Sequence, residues 1–285
     1  MRSFLGSYYF TENGEFFYEL LEKTPHFLTE KFFGKYLSKI KEKKERIVEY
    51  WPRIQQQMEW THGNPDLNFE FITTHNKNGT LNDNLFIDAT KTAGYIYVIR
   101  DPRDVVVSYA RYMEVSIDSS IDYITTDGMN ITEENPFPEF RLNWYKNYMS
   151  WKEQGEKDGY PGIVVRYEDL LRDSFKYFSK IIKFLTDDVG CGTYDEDKIK
   201  KCIASTSFSN MTKLNEESDY AMGKEYFFRE KSKVIVGRQN WKDILTKEQR
   251  KRIEQKFQDV PHGGRSRTSL SGTPRCGLHR RKDES

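Results

Sequence analysis

The chain has 285 residues and a formal net charge of +1, so it is long enough to bury a hydrophobic core and carries almost no charge excess. This balance argues against a broad nucleic-acid-binding surface, and local clusters must hold any anionic ligand. No apolar run in the sequence approaches the ~18 residues that a membrane-spanning helix needs.

The cysteines and the first residues bear on the cellular compartment. Three cysteines are scattered through the chain, without a CxxC pair or a histidine at metal-binding spacing. This pattern predicts neither a disulfide framework nor a metal site, and it favours a reducing compartment. The first residues lack the basic and apolar parts of a secretory signal. We therefore expect a cytoplasmic protein that does not bind membranes.

The predicted elements alternate between helices and strands. Most of residues 1–60 is predicted to be helical, with a bend or break near Pro52. The alternation that follows is typical of an α/β fold in which helices flank a central, mainly parallel sheet. The sequence predicts strands at 69–75 and 95–99, a strand that breaks into a turn at 162–170, and helices at 102–115, 138–153, 173–186, 195–205 and 246–257.

The composition changes near the end of the chain. Residues 261–285 are rich in Gly, Ser, Arg and Pro and have almost no apolar side chains, which predicts a disordered basic tail. Residues 1–260 are expected to form one domain. The basic groups of the tail suit an acidic surface or nucleic acid, but a solvated tail without such a role is the favoured interpretation.

The most informative stretch is YIYVIRDPRDVVVSYARYMEV, residues 95–115, in which a buried strand leads into a helix. Arg100 follows the strand at its carboxyl end, the edge at which open α/β sheets bind ligands. Asp101 suits the N-cap and Pro102 the first helical position, so the start of a helix lies at the same place. With the charges of Arg100 and Arg103, these features predict a phosphate-binding corner. The alternative is that both arginines only pair with neighbouring aspartates.

This stretch resembles the 3′-phosphate-binding segment of the sulfotransferases that use 3′-phosphoadenosine 5′-phosphosulfate (PAPS). In that family an arginine is followed by Asn/Asp-Pro-Lys/Arg-Asp and by a serine eight residues after the arginine, a spacing shared by Arg100 and Ser108. Further segments resemble the family in the same order, so the resemblance covers about residues 70–250. They are NWYKNYMSW (143–151), VVRYEDLLRD (164–173), STSFSNM (205–211), and FFRE (227–230) followed by NWKDILTKEQ (240–249).

The resemblance implies a fold similar to that of the P-loop NTPases, with three layers around a central, mainly parallel sheet. It also implies that the chain uses PAPS as co-substrate and releases adenosine 3′,5′-bisphosphate (PAP), without a metal. The implied nucleotide contacts are Arg100, Ser108 and Arg229 at the 3′-phosphate, Tyr167 and Phe208 at the adenine, and Thr206 in the nucleoside pocket.

The stretch FITTHN, residues 71–76, places His75 where the family has Lys-Thr-His. Histidine has an unperturbed pKa that suits proton removal near neutrality. The resemblance therefore implies that His75 is the general base, which takes a proton from a hydroxyl or amine of a small-molecule acceptor. The alternative is a histidine that only supports the structure after a strand.

The sequence departs from the family pattern in three places. The family begins with a Pro-Lys-Ser-Gly-x-Thr-Trp loop around the 5′-phosphosulfate, and this sequence contains nothing similar, so we expect an N-terminally truncated domain. Thr73 stands where the family usually has a lysine. Glu230 and Lys231 follow Arg229 where Lys and Gly are expected, which leaves Lys231 or Lys233 as a substitute phosphate contact.

Two alternatives to an active sulfotransferase remain open. The first is a truncated, non-catalytic remnant of the same fold that binds PAP. The second is a P-loop nucleotide kinase, which is disfavoured because the chain has no GxxxxGK[ST] loop. The expected partner is a small-molecule acceptor and not a specific nucleic acid, and its pocket is expected in the stretches 8–35 and 112–140. No pattern in the sequence identifies the acceptor or the oligomeric state.

Overall fold

The computed structural model of the chain describes residues 1–57, 69–130, 137–217 and 241–258. Within these ranges the α/β class is confirmed, because a pair of parallel strands lies among helices. The predicted tail, 261–285, lies outside the described residues. The helices are α1 (Arg2–Phe10), α2 (Glu30–Phe33), α3 (Leu37–Glu42), α4 (Ile47–Gln57), α5 (Pro102–Tyr112), α6 (Ile117–Thr125), α7 (Trp144–Asp158), α8 (Tyr167–Arg172), α9 (Ser174–Asp187), α10 (Glu196–Ser205), α11 (Phe208–Glu217), α12 (Trp241–Ile244) and α13 (Lys247–Gln258). The strands are β1 (Thr80–Leu81), β2 (Asn84–Leu85), β3 (Tyr95–Ile99), β4 (Gly128–Asn130), β5 (Glu139–Arg141) and β6 (Gly162–Arg166).

Strands β3 and β6 pair in parallel, residue by residue over their whole length. Because parallel strands end at the same edge of a sheet, the residues that follow them become neighbours. These residues are Arg100 after β3 and Tyr167 after β6. The pairing therefore brings two of the predicted nucleotide contacts to one place.

Helices cover both faces of this strand pair. On one face, Ile96 and Val165 pack into a first hydrophobic cluster with residues of α1, α9 and α10. On the other face, Tyr97 lies against α7, with its ring centroid 5.5 Å from that of Tyr148. Helices, strands and helices thus form three layers, in agreement with the architecture that the sequence predicts.

Three further clusters lie in the described residues, the smallest of them formed by Phe16, Tyr18, Leu20 and Leu21. A second cluster joins the N-terminal helices α2–α4 to Phe86 and Phe137, and a third joins α5 and α6 to α13 through Val106, Ile121 and Ile253. None of the helices in the four described ranges is both long and apolar enough to cross a membrane.

The start of α5 has the predicted caps. The Asp101 carboxylate accepts a hydrogen bond from the backbone N–H of Arg103 at 2.9 Å, and Pro102 is the first helical residue. The helix ends at Tyr112, before the predicted end at 115, because Glu114 adopts a left-handed φ of 54° that an α-helix does not accommodate. A second helix, α6, begins directly afterwards.

Two other helices differ from their predicted extent. Helix α7 begins later than predicted because β5, which precedes it, pairs antiparallel with β4. Asn143 then caps α7 by accepting a hydrogen bond from the N–H of Lys146 at 3.0 Å. In the N-terminal region, α4 continues through Pro52, so the helix is not broken there.

The predicted strand at 69–75 is wrong. Thr73 makes a single isolated bridge, parallel to His26, in which its N–H donates to the Pro25 carbonyl and its carbonyl accepts from the Phe27 N–H, both at 2.9 Å. The aromatic side chains of this stretch pack into the first hydrophobic cluster. Its apolar pattern therefore reflects burial and not a strand ladder.

Gly162 leaves no room for a side chain, and this gives a test of the strand pairing. A Cβ at this position would lie 2.1 Å from ring carbons of Tyr95, the residue opposite it in the pair. We expect Gly162→Ala to displace this ring and to lower the free energy of unfolding by about 1–3 kcal/mol. Urea unfolding of the purified chain measures the loss.

The control is the double variant Gly162→Ala/Tyr95→Val, which removes the ring that causes the clash. Its loss in free energy of unfolding should be smaller than the sum of the two single losses, because the two residues are in contact. A Gly162→Ala chain that unfolds at the same urea concentration as the unmodified chain would contradict the pairing.

Candidate active site

Arg100 is a partly buried cation at the shared edge of β3 and β6. Its Nε is buried and has no hydrogen-bond partner among the described residues. Its guanidinium carbon lies 4.7 Å from the ring centroid of Tyr167, the first residue of α8. Because buried N–H groups nearly always have partners, an unsatisfied guanidinium nitrogen indicates a place for an external acceptor such as a phosphate oxygen.

Hydrogen bonds hold the backbone of this corner from two sides. The Trp144 indole N–H donates to the carbonyl of Arg100 at 3.0 Å. The backbone N–H of Asp101 donates to the Glu168 carboxylate at 2.8 Å. These contacts tie the end of β3 to the starts of α7 and α8, so the Arg100 side chain projects from a fixed point.

Arg103 does not share the expected role of Arg100. Its guanidinium donates to the Asp101 carboxylate at 2.7 and 3.0 Å and to Glu254 of α13 at 2.9 Å. It also lies 3.9 Å from the ring centroid of Trp241. The expectation that Arg103 adds an unpaired charge to the phosphate corner is therefore wrong, and pairing with an aspartate is the correct interpretation for this arginine.

Ser108 is exposed on α5, one helical turn after Asp104 and on the same face. The Asp104 carboxylate accepts a hydrogen bond from the backbone N–H of Trp241 at 3.3 Å. Burial raises the pKa of Asp104, although this hydrogen bond and the positive charge of Arg100 oppose the rise. The positive charge of Arg100 therefore acts on this face of α5.

The predicted nucleoside contacts lie where α10 gives way to α11. Thr206 follows α10, and its hydroxyl donates to the carbonyl of Cys202 at 2.7 Å. Phe208 begins α11 and is 44% exposed. Arg229, the remaining predicted phosphate contact, lies outside the described residues.

His75 lies beside a second histidine and a glutamate. The ring centroids of His26 and His75 are 5.3 Å apart, and Nε2 of His26 is 3.1 Å from Oε1 of Glu139. One nitrogen of each histidine and one oxygen of Glu139 all lie within 4.8 Å of one another. The sequence identified His75 by its motif but gave no signal for the other two residues, which are distant along the chain.

The electrostatics of this cluster favour a neutral His75 ring. The surrounding protein atoms lower the pKa of His75 even though part of its side chain faces solvent; Glu139 opposes this shift, while His26 and Arg2 add to it. Burial would raise the pKa of Glu139, but the hydrogen bond from His26 and the charges of both histidines outweigh it and lower that pKa. A neutral imidazole is the form that accepts a proton.

Helix α7 connects the His75 region to the Arg100 corner. The Asn147 side chain accepts a hydrogen bond from the Tyr97 hydroxyl at 2.9 Å and donates to the carbonyl of His75 at 3.4 Å. The same helix bonds to the carbonyl of Arg100 through Trp144. The sequence marked this segment only by resemblance, and the role of Asn147 was missed. The signal was a helical face of side chains that donate hydrogen bonds, at Trp144, Asn147 and Trp151.

The chain matches the sulfotransferase domain over residues 21–269, and it therefore belongs to the sulfotransferase family. This agrees with the ordered motifs of the sequence and with the α/β architecture of the described residues.

Several relatives are similar at low identity. Sulfotransferase 2A2 of Rattus norvegicus is 26% identical over 202 residues, which cover 67% of this chain and 64% of that protein. The amine sulfotransferase of Oryctolagus cuniculus is 26% identical over 185 residues, which cover 59% of this chain and 54% of that protein. Among solved structures, mouse sulfotransferase SULT7A1 complexed with PAP is 20% identical, with a TM-score of 0.43 over 67% of this chain and 64% of that one. The chain spans less than two thirds of the length of each.

The contacts of Arg103 predict a role in stability. Its side chain is 15% exposed and bridges α5 to α13, so Arg103→Ala leaves two carboxylates without their cation. We expect the free energy of unfolding to fall by about 2 kcal/mol. Arg111→Ala, an exposed arginine at the other end of α5, should change it by no more than about 0.5 kcal/mol. Equal urea midpoints for the two variants would refute the structural role.

Proposed function

We propose that this member of the sulfotransferase family transfers a sulfuryl group from PAPS to a hydroxyl or amine of a small molecule, with His75 as the general base. The observation that carries the proposal is the buried, unsatisfied Nε of Arg100 at the edge where β3 and β6 end. This is the edge at which open α/β sheets bind ligands. Membership of the family supports the identity of the transferred group.

The nucleotide would be held by residues from three places. Arg100 and Ser108 would bind the 3′-phosphate, because one offers a buried N–H and full charge and the other an exposed hydroxyl. Tyr167, whose ring lies against Arg100, would contact the adenine from the same edge. Phe208, which is 44% exposed, would stack against the adenine, beside Thr206. Arg229 is proposed as a further phosphate contact from the sequence resemblance alone.

The chemistry assigned to His75 is proton removal. When bound, PAPS supplies the sulfuryl group, and PAP is the leaving product. The neutral His75 ring takes the proton from the acceptor as the acceptor oxygen or nitrogen bonds to sulfur, which leaves the imidazolium beside the Glu139 carboxylate. Glu139 thus stabilises the charge that the base acquires. The transfer itself requires no metal in this scheme.

The acceptor is proposed by class only. The relatives include a 3-beta-hydroxysteroid sulfotransferase of Cavia porcellus and a luciferin sulfotransferase of Photinus pyralis, besides the amine sulfotransferase. These names support small organic acceptors that carry a hydroxyl or an amine. A hydroxysteroid, a luciferin and an aromatic amine therefore form the first panel of acceptors.

The non-catalytic alternative also has an observation in its favour. Thr73 stands where the resemblance expects a lysine, and its backbone is bonded to Pro25 and Phe27. Its side chain cannot supply the positive charge that would stabilise the leaving phosphate oxygen. A chain of this kind would bind PAP without transferring sulfate, so binding and transfer must be measured separately.

The first experiment tests the Arg100 corner by calorimetric titration of PAP into the purified chain. Arg100→Ala should weaken PAP binding by about 10- to 100-fold, because it removes charge-assisted hydrogen bonds to the phosphate. Arg111→Ala, the matched surface arginine, should bind PAP as the unmodified chain does.

Adenosine 5′-monophosphate, which lacks the 3′-phosphate, makes this test specific. Its affinity should be the same for the unmodified chain and for Arg100→Ala. An equal loss for both nucleotides would show that the variant damages the whole pocket. Unchanged PAP affinity in Arg100→Ala would show that the 3′-phosphate is held elsewhere.

The second experiment tests His75 by transfer of labelled sulfate from PAPS to the acceptor panel. His75→Gln should lower kcat by about 10²- to 10⁴-fold, the usual contribution of a general base, and leave PAP affinity unchanged. His262→Gln, a change in the predicted tail, serves as the control. PAP binding without transfer to any acceptor would favour the non-catalytic alternative, and full activity in His75→Gln would exclude this residue as the base.

A further inference from the structure

Three side chains with donor atoms that suit a transition metal converge beside the candidate base. The donor atoms of His26, His75 and Glu139 lie within 4.8 Å of one another. Two ligands on a tetrahedral zinc ion, with bonds of about 2.0–2.1 Å, lie about 3.3 Å apart. Nε2 of His26 and Oε1 of Glu139 already have nearly this separation, at 3.1 Å. The separations to the His75 nitrogen, which reach at most 4.8 Å, must shorten for the three side chains to share one ion.

Hydrogen bonds fix the segments that carry His26, His75 and Glu139 to one another. The segment of His26 is bridged to Thr73, two residues before His75. Glu139 lies in β5, directly before Phe140. The Phe140 N–H donates to the side chain of Asn76, and the Phe140 carbonyl accepts from the N–H of Lys77, so β5 is bonded to the two residues that follow His75. The three ligands therefore come from segments that are fixed to one another, as a preorganised metal site requires.

The kinds of donor select the kind of ion. Two imidazole nitrogens and one carboxylate oxygen are a set found in zinc sites that keep a fourth position open. Calcium and magnesium prefer all-oxygen ligands, which this cluster does not offer. The Glu139 side chain is 16% exposed and that of His26 23%, whereas His75 faces solvent. The open side of the cluster is therefore the side of His75.

We propose that His26, His75 and Glu139 bind one Zn²⁺ ion, with the remaining coordination position open to solvent. The site does not depend on the proposed transfer reaction, but the two share His75. A neutral imidazole has one available nitrogen lone pair, which can bind either a metal ion or a proton. Zinc binding and base catalysis by His75 therefore exclude each other. An occupied site would therefore inhibit transfer.

The test is calorimetric titration of Zn²⁺ into the full chain, after removal of any affinity tag and dialysis against a chelator. We expect one ion per chain. His26→Ala, His75→Ala and Glu139→Gln should each weaken binding by about tenfold or more, because each removes one of three ligands. His62→Ala and His262→Ala change histidines that are not among the three proposed ligands and should keep the affinity of the unmodified chain.

Glu139→Gln controls for loss of binding through misfolding, because the amide keeps the shape of the side chain and an oxygen that can accept a hydrogen bond from His26. Co²⁺ gives a second readout, because its visible absorption reports imidazole and carboxylate ligation in the unmodified chain and should be lost in His26→Ala. Absence of zinc binding by the unmodified chain, or unchanged affinity in Glu139→Gln, would overturn the site. Neither readout uses PAPS or an acceptor, so a failure of the proposed transfer reaction would leave this result standing.

Discussion

The parallel pairing of β3 with β6 is the constraint on which the candidate site depends. It places Arg100 and Tyr167 at one edge, where the guanidinium carbon lies 4.7 Å from the ring centroid. Parallel strands need a long connection, because the chain must return to the starting end of the sheet. Here that connection contains α5, α6 and α7, so the elements around Arg100 are supplied by the same crossover that makes the pairing possible.

Helix α7 converts this edge into a two-part site. Trp144 binds the carbonyl of Arg100, while Asn147, almost one turn later, joins Tyr97 of β3 to the carbonyl of His75. A helix is a rigid spacer of fixed rise, so the separation of these two backbone points is set by sequence position on one helical face. The candidate base and the candidate phosphate contact are thus held by one element, although they lie on different segments.

Local signals in the sequence predicted most of the elements and the Arg100 corner. The cap at Asp101, the proline at the first helical position and the buried strand each depend on residues that are close in sequence. They can therefore be predicted without knowing the fold. Arg103 was misjudged because one of its partners, Glu254, lies 151 residues away. The strand at 69–75 was misjudged because burial against α1 gives the same apolar pattern as a ladder.

The cluster around His75 shows a second limit of sequence reasoning. Spacing rules for metal ligands apply to residues on one helix or hairpin, whereas His26, His75 and Glu139 come from three separate segments. No local pattern marks such a set. The bridge between His26 and Thr73 and the bonds of β5 bring its segments together. The assignments to Arg229 and to the tail stay predictions, because these residues lie outside the described ranges.

The two arginines of the RDPRD motif differ because carboxylates neutralise one of them. Arg103 is paired with Asp101 and Glu254, so its charge is balanced inside the protein. Two N–H groups at the start of α5 are also occupied, that of Asp101 by Glu168 and that of Arg103 by the Asp101 side chain. The start of α5 therefore has fewer free N–H donors for an anion than its helix dipole alone would suggest. Within the described residues, the proposed attraction of this edge for a phosphate therefore rests on Arg100 more than on the helix start.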